Sequence, residues 1–286
     1  MELLEVKNIS KRYDGFSLED ISFSLPSGYI MGYIGQNGAG KTTTISLITH
    51  IRKAHTGKIW VDGLQYEEDP VRYKESIGYI SEEIGFSPTF TLKDIRTILR
   101  DFYPSFRKEA FDELVRKWDL PEKKKIGEFS KGMKIKLMFA TVFARETKLL
   151  ILDEATNGLD PVARQEVLSF LQGYIADGAH SVLFSTHILS DLEQIADYIY
   201  FIHNGKRILY DTKDELLENF LLVKGSRNAV NEALNRELIG MVENAYGFEA
   251  ILPSDKADLI PAGLIYEKPV IDQIVIHFIK AQERKS

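Results

Sequence analysis

The sequence predicts an α/β protein: a strand, glycine loop and helix at its core, an inserted helical subdomain, and a small α/β appendage towards its C-terminal end. Three observations predict it. The stretch Gly35-Gln36-Asn37-Gly38-Ala39-Gly40-Lys41-Thr42-Thr43 lies between an aliphatic run, Tyr29 to Ile34, and a helical run, Thr43 to His50. A second aliphatic run, Leu149-Leu150-Ile151-Leu152, ends in Asp153-Glu154 and has the composition of a strand buried on both faces. Between the two, residues about 89 to 147 turn to dense charge with helical periodicity.

Taken in order, Leu4, Val6 and Ile9 alternate with polar residues and predict an opening strand, which turns at Tyr13-Asp14-Gly15. Ser17 to Leu25 predicts a second strand, stopped by Pro26-Ser27-Gly28. After the glycine-loop unit, Gly57 to Gly63 and Ile77 to Ile80 read as short strands. In the insertion, Leu92, Ile95, Ile98 and Leu99 share one helical face, and Phe111, Leu114, Val115 and Trp118 share another. Val162 to Ala176 reads as helix, Ser181 to Ser185 as strand, and Leu189 to Ala196 as helix. Tyr198 to Ile202 and Lys206 to Tyr210 form a hairpin around Asn204-Gly205. Beyond it, Asp214 to Asn219 and Asn228 to Leu234 read as helices. Phe220 to Val223, Leu238 to Val242 and Phe248 to Leu252 read as strands, and Ile271, Ile274, Val275 and Phe278 carry a last helix. This final section is near the lower size limit for independent folding, so it leans on the main domain or on a partner.

Composition narrows the function. The chain has 286 residues, 44% hydrophobic and 27% charged, as in a globular protein with a substantial core. Its net charge of −6 argues against nucleic acid as the main partner. With no cysteine, disulfides, thiol catalysis and cysteine-zinc sites are excluded. No apolar run approaches the ~20 residues needed to span a bilayer. Met1 to Glu5 lacks the basic start and apolar core of a signal peptide, so a cytoplasmic location is expected.

The glycine stretch fits G-x-x-x-x-G-K-[ST], and its strand and helix flanks are those the motif requires. Gly35, Gly38 and Gly40 let the backbone turn its N–H groups towards phosphate oxygens. The helix start adds about half a positive charge facing the same anion. Lys41 is expected on the outer phosphates, the Thr42 hydroxyl on Mg²⁺, and Thr43 and Asn37 beside the phosphates. Asp153 ends a buried strand, where a carboxylate holds Mg²⁺ beside Thr42. Glu154 is the candidate general base for water.

The order of these elements resembles the ATP-binding subunit of an ATP-binding-cassette (ABC) transporter. Phe129-Ser130-Lys131-Gly132-Met133 resembles that family's signature, usually Leu-Ser-Gly-Gly-Gln; Ser130 and Gly132 are retained, whereas Lys131 and Met133 depart. Asn157-Gly158-Leu159-Asp160 resembles the loop after the catalytic acid, and His187 the switch histidine after the next strand. Tyr13 sits where the family places an adenine-stacking aromatic, and Glu82 where it usually has a glutamine near Mg²⁺. The resemblance covers residues 1 to about 215. It implies a P-loop NTPase fold of the ABC ATPase type, with an antiparallel β subdomain and a helical subdomain over about 85–147. An ATPase domain over 1–215 and an accessory domain over 216–286 follow from it.

The same resemblance implies a site. Glu154, His187 and Lys41 are its catalytic residues. Tyr13, Gly35, Asn37, Gly38, Gly40, Lys41, Thr42, Thr43, Ser130 and Gly132 bind ATP, and Thr42, Asp153 and Glu82 bind Mg²⁺. It also implies partners: a second ATPase subunit, head to tail, whose phosphates meet Ser130 and Gly132, and a permease on a separate chain. The subunit would lie at the inner face of the membrane. The sequence most resembles ATPases of bacterial type-2 exporters of peptides or antibiotics, including bacitracin-resistance systems. The other function class is a non-transport ATPase of translation or DNA maintenance. Translation factors of that kind resemble two cassettes in one chain, and chromosome proteins need a long coiled coil for which the interval from Lys41 to Ser130 is too short. A regulator without turnover is disfavoured by Glu154. Phe86, Phe90, Phe102, Tyr103 and Phe106 either line a groove for a partner helix or form the helical subdomain's own core.

Overall fold

The computed structural model describes residues 2–83 and 85–284; Met1, Ile84, Lys285 and Ser286 lie outside the described residues. The chain opens with β1 (Glu2–Tyr13) and β2 (Phe16–Pro26), then β3 (Ile30–Ile34), which leads through the glycine loop into α1 (Lys41–Ile48). β4 (Thr56–Val61), α2 (Pro70–Glu75) and β5 (Ile77–Ser81) follow. The helical insertion contributes α3 (Leu92–Phe102), α4 (Lys108–Lys117) and α5 (Lys131–Phe143). Strand and helix then alternate through β6 (Leu149–Asp153), α6 (Pro161–Ile175), β7 (Ser181–Ser185) and α7 (Leu189–Ile195). The hairpin β8 (Tyr198–His203) and β9 (Lys206–Thr212) closes this part. The last section holds α8 (Lys213–Asn219), β10 (Phe220–Gly225), α9 (Glu232–Glu237), β11 (Ile239–Asn244), β12 (Gly247–Pro253), β13 (Ile265–Glu267) and α10 (Ile271–Glu283).

The central sheet runs β5-β6-β7-β3-β8-β9 and is parallel apart from the terminal hairpin. Because β5, β6, β7 and β3 run the same way, their carboxyl ends share one edge. The glycine loop, Glu82, Asp153-Glu154 and the loop carrying His187 all leave that edge, which is where ligands bind in open α/β sheets.

Period-2 alternation splits each central strand between two cores. On β6, Leu149 and Ile151 join Met31, Tyr33 and Leu183 under the antiparallel sheet β2-β1-β4, which presents Leu4, Val6, Ile9 and Ile21. Leu150 and Leu152 join Val182, Phe184 and Phe139 beneath the helices on the other face. The insertion has its own core around Leu92, Ile95, Leu99, Phe111, Val115 and Ile126.

The C-terminal section builds the antiparallel sheet β11-β12-β10-β13. One face has a separate core of Val223, Leu234, Phe248, Ala250 and Leu252. The other is continuous with the main core: Leu222, Ile251, Ile271, Ile274 and Val275 belong with Leu192, Ile195 and Leu216. α10 is also tied to α7, since Ile271 N–H donates to Glu193 Oε1 at 3.0 Å.

α5 starts at Lys131 because Ser130 caps it: Ser130 Oγ accepts from Met133 N at 3.2 Å. Three local features differ from expectation. The helix expected over Asn228 to Leu234 is a 3₁₀ turn at Arg227–Ala229 followed by α9, which starts after Asn231 because Asn231 is its cap. α2 was not expected; it buries only Tyr73, too little to give a period, though Asp69 caps it and Pro70 opens it. β13 was not expected either, being a three-residue edge strand exposed throughout.

Candidate nucleotide-binding site

Lys41 is the first residue of α1, and Gly40 before it has φ +112, in the left-handed region that favours glycine. A Cβ at Gly40 would also sit 3.0 Å from Leu18 Cδ1 and 3.1 Å from Phe16 Cζ. The loop therefore packs directly on β2, which fixes the helix start. Lys41 is 6% exposed, and its Nζ donates to Gly35 O at 2.6 Å and Gln36 O at 3.3 Å. The same Nζ lies 3.1 Å from Glu154 Oε1.

Glu154 is reached from β6 across a sharp turn. Its φ of +56 is unusual for a residue with a side chain and costs on the order of 1–3 kcal/mol. The strained turn aims its carboxylate back over the loop, where it meets Lys41, Asn157 Nδ2 at 2.9 Å and His187 Nδ1 at 2.8 Å. Burial pushes its carboxyl up, but His187, Lys41 and Asn157 outweigh burial and hold it below its ordinary value.

Asp153 is buried at the strand end. Burial raises its carboxyl above the usual range, and the charge of Glu154 adds to this, while nearby Thr42 and Ser185 hydroxyls and Lys41 partly offset it. Its Oδ1 and Ser185 Oγ are buried and lack hydrogen-bond partners. Hard oxygen donors, one of them an orphaned carboxylate oxygen, fit a divalent cation. Among the described residues no cluster of three or more His, Asp or Glu side chains is arranged to hold a metal. That agrees with a Mg²⁺ site, which uses one or two carboxylates and completes itself with phosphate oxygens and water.

Lys41 and Glu154 face one open cleft of about 670 Å³, behind which Asp153 is buried. Its walls include Asn37, Gly38, Gly40, Lys41, Thr42, Thr43, Glu82, Glu154 and His187. Gly35 lies beneath, as acceptor for Lys41. Glu82 is held at the same edge by its backbone N–H, which donates to Asp153 O at 3.2 Å.

Five expected residues are not in the cleft wall of this chain: Tyr13, Gly35, Ser130, Gly132 and Asp153. Ser130 and Gly132 start α5 in the helical insertion, and Gly132 faces Ala163. Tyr13 pairs with Arg52: Arg52 Nη1 donates to its hydroxyl at 3.2 Å, and the Arg52 guanidinium stands 5.4 Å above its ring. Phe16 and Gly15 occupy the cleft wall where Tyr13 was expected. Sequence reasoning missed Phe16, Gln36 and the Asn157 contact. Asn157 was legible as part of Asn-Gly-Leu-Asp but carried no role there; Phe16 falls between the turn expected at Tyr13-Asp14-Gly15 and the strand expected from Ser17.

The aromatic residues of the insertion serve both alternatives. Phe86, Phe90, Tyr103 and Phe106 pack against its core, while Phe86 and Tyr103, together with Phe102, also border a groove of about 430 Å³ against Ile77, Tyr79 and Met138. Phe102 is 75% exposed. Among the described residues no helix is long and apolar enough to cross a membrane.

A glycine loop, a buried lysine and a strained glutamate at the carboxyl edge of a parallel sheet define an ATP-hydrolysing P-loop fold. A family profile described as "ABC transporter" matches residues 18–157. The ABC transporter ATP-binding protein YtrB of Bacillus subtilis (strain 168) is 33% identical over 252 residues, 87% of this chain and 86% of that one. The bacitracin transport ATP-binding protein BcrA of Bacillus licheniformis is 33% identical over 207 residues, 71% of this chain and 68% of its own. A solved structure described as an ATP binding subunit of an ABC transporter superposes with TM-score 0.69 at 32% identity, covering 76% of this chain and 92% of that chain. The chain therefore belongs to the ABC transporter family, as an ATP-binding subunit. It is an ATPase whose hydrolysis of ATP powers transport, in company with transmembrane permease subunits. These relatives are transporter subunits, which favours the first function class over translation or DNA maintenance.

Proposed function

We propose that this subunit powers an exporter of peptides, antibiotics or other amphipathic compounds, working as a head-to-tail pair at the inner face of the cell membrane. The observation that carries the catalytic part is the convergence of Lys41, Glu154 and His187 in one cleft, within 3.1 Å of one another through Glu154. The names of relatives that transport bacitracin and lantibiotics support the substrate class.

Lys41 turns from Glu154 to the β- and γ-phosphates of ATP, and the loop N–H groups hold the remaining oxygens. Thr42, Asp153 and Glu82 would hold Mg²⁺, which when bound would supply positive charge against the phosphoryl oxygens. Glu154, freed from Lys41, accepts the proton of the attacking water, and His187 hydrogen-bonds the γ-phosphate. Ser130 and Gly132 face the opposite subunit's phosphate, since a capped helix start binds anions. Tyr13 stacks on adenine, with Phe16 in the cleft wall beside it as a second aromatic face.

The permease docks in the groove of Phe86, Phe102 and Tyr103, where a short apolar helix fits. The chain divides into an ATPase domain, 1–215, and an accessory domain, 216–286. To test the reading, the tagged subunit is purified from detergent-solubilised native membranes and its companions are identified. A multi-span permease, with ATPase activity lost in Lys41→Ala, is expected; ribosomes or DNA instead would overturn it.

A further inference from the structure

Lys131 and Glu82, two of the departures from the usual motif residues, meet in the fold. Lys131 Nζ lies 3.0 Å from Glu82 Oε1. The partners belong to different parts of the molecule. Glu82 follows β5 and lines the nucleotide cleft, whereas Lys131 opens α5 in the helical insertion.

Lys131 needs an anion. As the first helical residue it places a cation at the positive end of the helix dipole, which disfavours it there. The Ser130 cap satisfies a backbone donor without supplying charge. The fold also keeps room for the ammonium: a Cβ at Gly158, where φ is +63, would lie 3.0 Å from Lys131 Nζ. The ammonium thus sits between the loop after β5 and the loop after β6, which carry Glu82 and Glu154.

Glu82 has two competing uses. The residue lines the cleft with Thr42 and Glu154, and it also borders a small pocket with Lys131, Lys134 and Ala155. A carboxylate that already neutralises an ammonium is a poorer ligand for a second cation, because the two cations repel at short range. We propose that Lys131 is a displaceable counter-ion for Glu82, which ties α5 to the nucleotide cleft until Glu82 turns to the divalent cation. The freed ammonium then stands with Ser130 at a helix start, where an anion binds. The proposal rests on the reading of Glu82 as a metal-facing residue, and makes Lys131 a positioning residue that acts through it.

The experiment measures ATPγS binding by calorimetry, with Mg²⁺ and in EDTA, on the full chain. With Mg²⁺, Lys131→Gln is expected to bind ATPγS about two- to fivefold more tightly than the unsubstituted chain, the range of an exposed ion pair. In EDTA the two are expected to match, and Lys131→Arg is expected to behave as the unsubstituted chain. In the Glu82→Gln background, Lys131→Gln is expected to have no Mg²⁺-dependent effect. Hydrogen exchange supplies the second reading: the amides of residues 134–138 are expected to open on Mg²⁺–ATPγS binding, and to be open beforehand in Lys131→Gln. An unsubstituted chain that binds ATPγS equally with and without Mg²⁺ would overturn the metal reading and this proposal with it. A Mg²⁺-dependent chain in which Lys131→Gln changes nothing, or changes as much without the Glu82 carboxylate, would overturn the counter-ion alone.

Discussion

Lys41 Nζ and Glu154 Oε1 are 3.1 Å apart, so the lysine proposed for the phosphates and the glutamate proposed for the water hold each other. The pair costs little to form, because both groups have further partners: Lys41 donates to two loop carbonyls, and Glu154 accepts from Asn157 and pairs with His187. It also keeps Glu154 ionised while the cleft is open. In the proposed mechanism ATP would replace one anion at Lys41 by another and so free Glu154 at the moment a base is needed.

Lys41→Ala is expected to lower ATP turnover by about 10²-fold or more, the usual scale for losing a preorganised charge at a developing anion. It leaves Glu154 half-buried with one fewer cation. Steady-state phosphate release checks this, and near-normal turnover would remove Lys41 from the site.

Glu154→Gln is expected to lower turnover by about 10²–10⁴-fold, as for a lost general base, while keeping the groups that bind nucleotide. ATP is then retained, and with it the closed pair of subunits. Light scattering at saturating MgATP is expected to show dimers; a strictly monomeric variant would count against the head-to-tail arrangement.

The same pair gives a pH dependence. Glu154 holds its proton less tightly in the folded chain than its ordinary value of 4.5, so its ionised form stabilises the fold. That contribution is fully present above pH 4.5 and is lost as pH falls through the lower folded value. In urea denaturation of the nucleotide-free chain, the stability advantage over Glu154→Gln is therefore expected at pH 7 and expected to vanish in acid below 4.5. An advantage independent of pH would show that the carboxylate's charge is not its source.

What could be read in advance followed local physics. The glycine loop was legible because its flanking aliphatic run and helix are contiguous with it, and the insertion because Leu92, Ile95 and Leu99 repeat on one face. The contact of Lys131 with Glu82 was not legible, since it joins residues 49 apart through the tertiary arrangement of α5 on the sheet edge. Phe16 was hidden for a related reason: it lies just outside the strand expected from Ser17, and its place beside the cleft follows from the close packing of Gly40 on β2. β13 left no signal because a strand exposed on both faces has no buried period to display.

Asp153 shows a conflict between stability and function. Its raised carboxyl, caused first by burial, means that the ionised form is disfavoured in the nucleotide-free fold. For a carboxyl raised on folding, the fold binds the proton more tightly than the unfolded chain, so this contribution falls as pH rises through the ordinary value of 3.8 towards the folded one. At pH 7, Asp153→Asn is therefore expected to melt at or above the temperature of the unsubstituted chain, and to lose the Mg²⁺ dependence of nucleotide binding. Thermal melts and calorimetry with and without Mg²⁺ check both halves; a destabilised variant would mean that burial does not dominate at Asp153.

Ile274 tests how the C-terminal section is attached. Its side chain is 1% exposed and lies in the core that holds Leu192 and Ile195 of α7, Leu216 of α8 and Ile251 of β12. Removing most of a buried aliphatic side chain costs about 2–5 kcal/mol in transfer and cavity terms. Because the core is continuous, Ile274→Ala is expected to destabilise the ATPase part together with the C-terminal sheet. Native-state hydrogen exchange is expected to speed up in β7 as well as in β12. Faster exchange confined to residues 216–284 would show instead that the C-terminal section opens by itself, with the shared core contributing little to the rest of the fold.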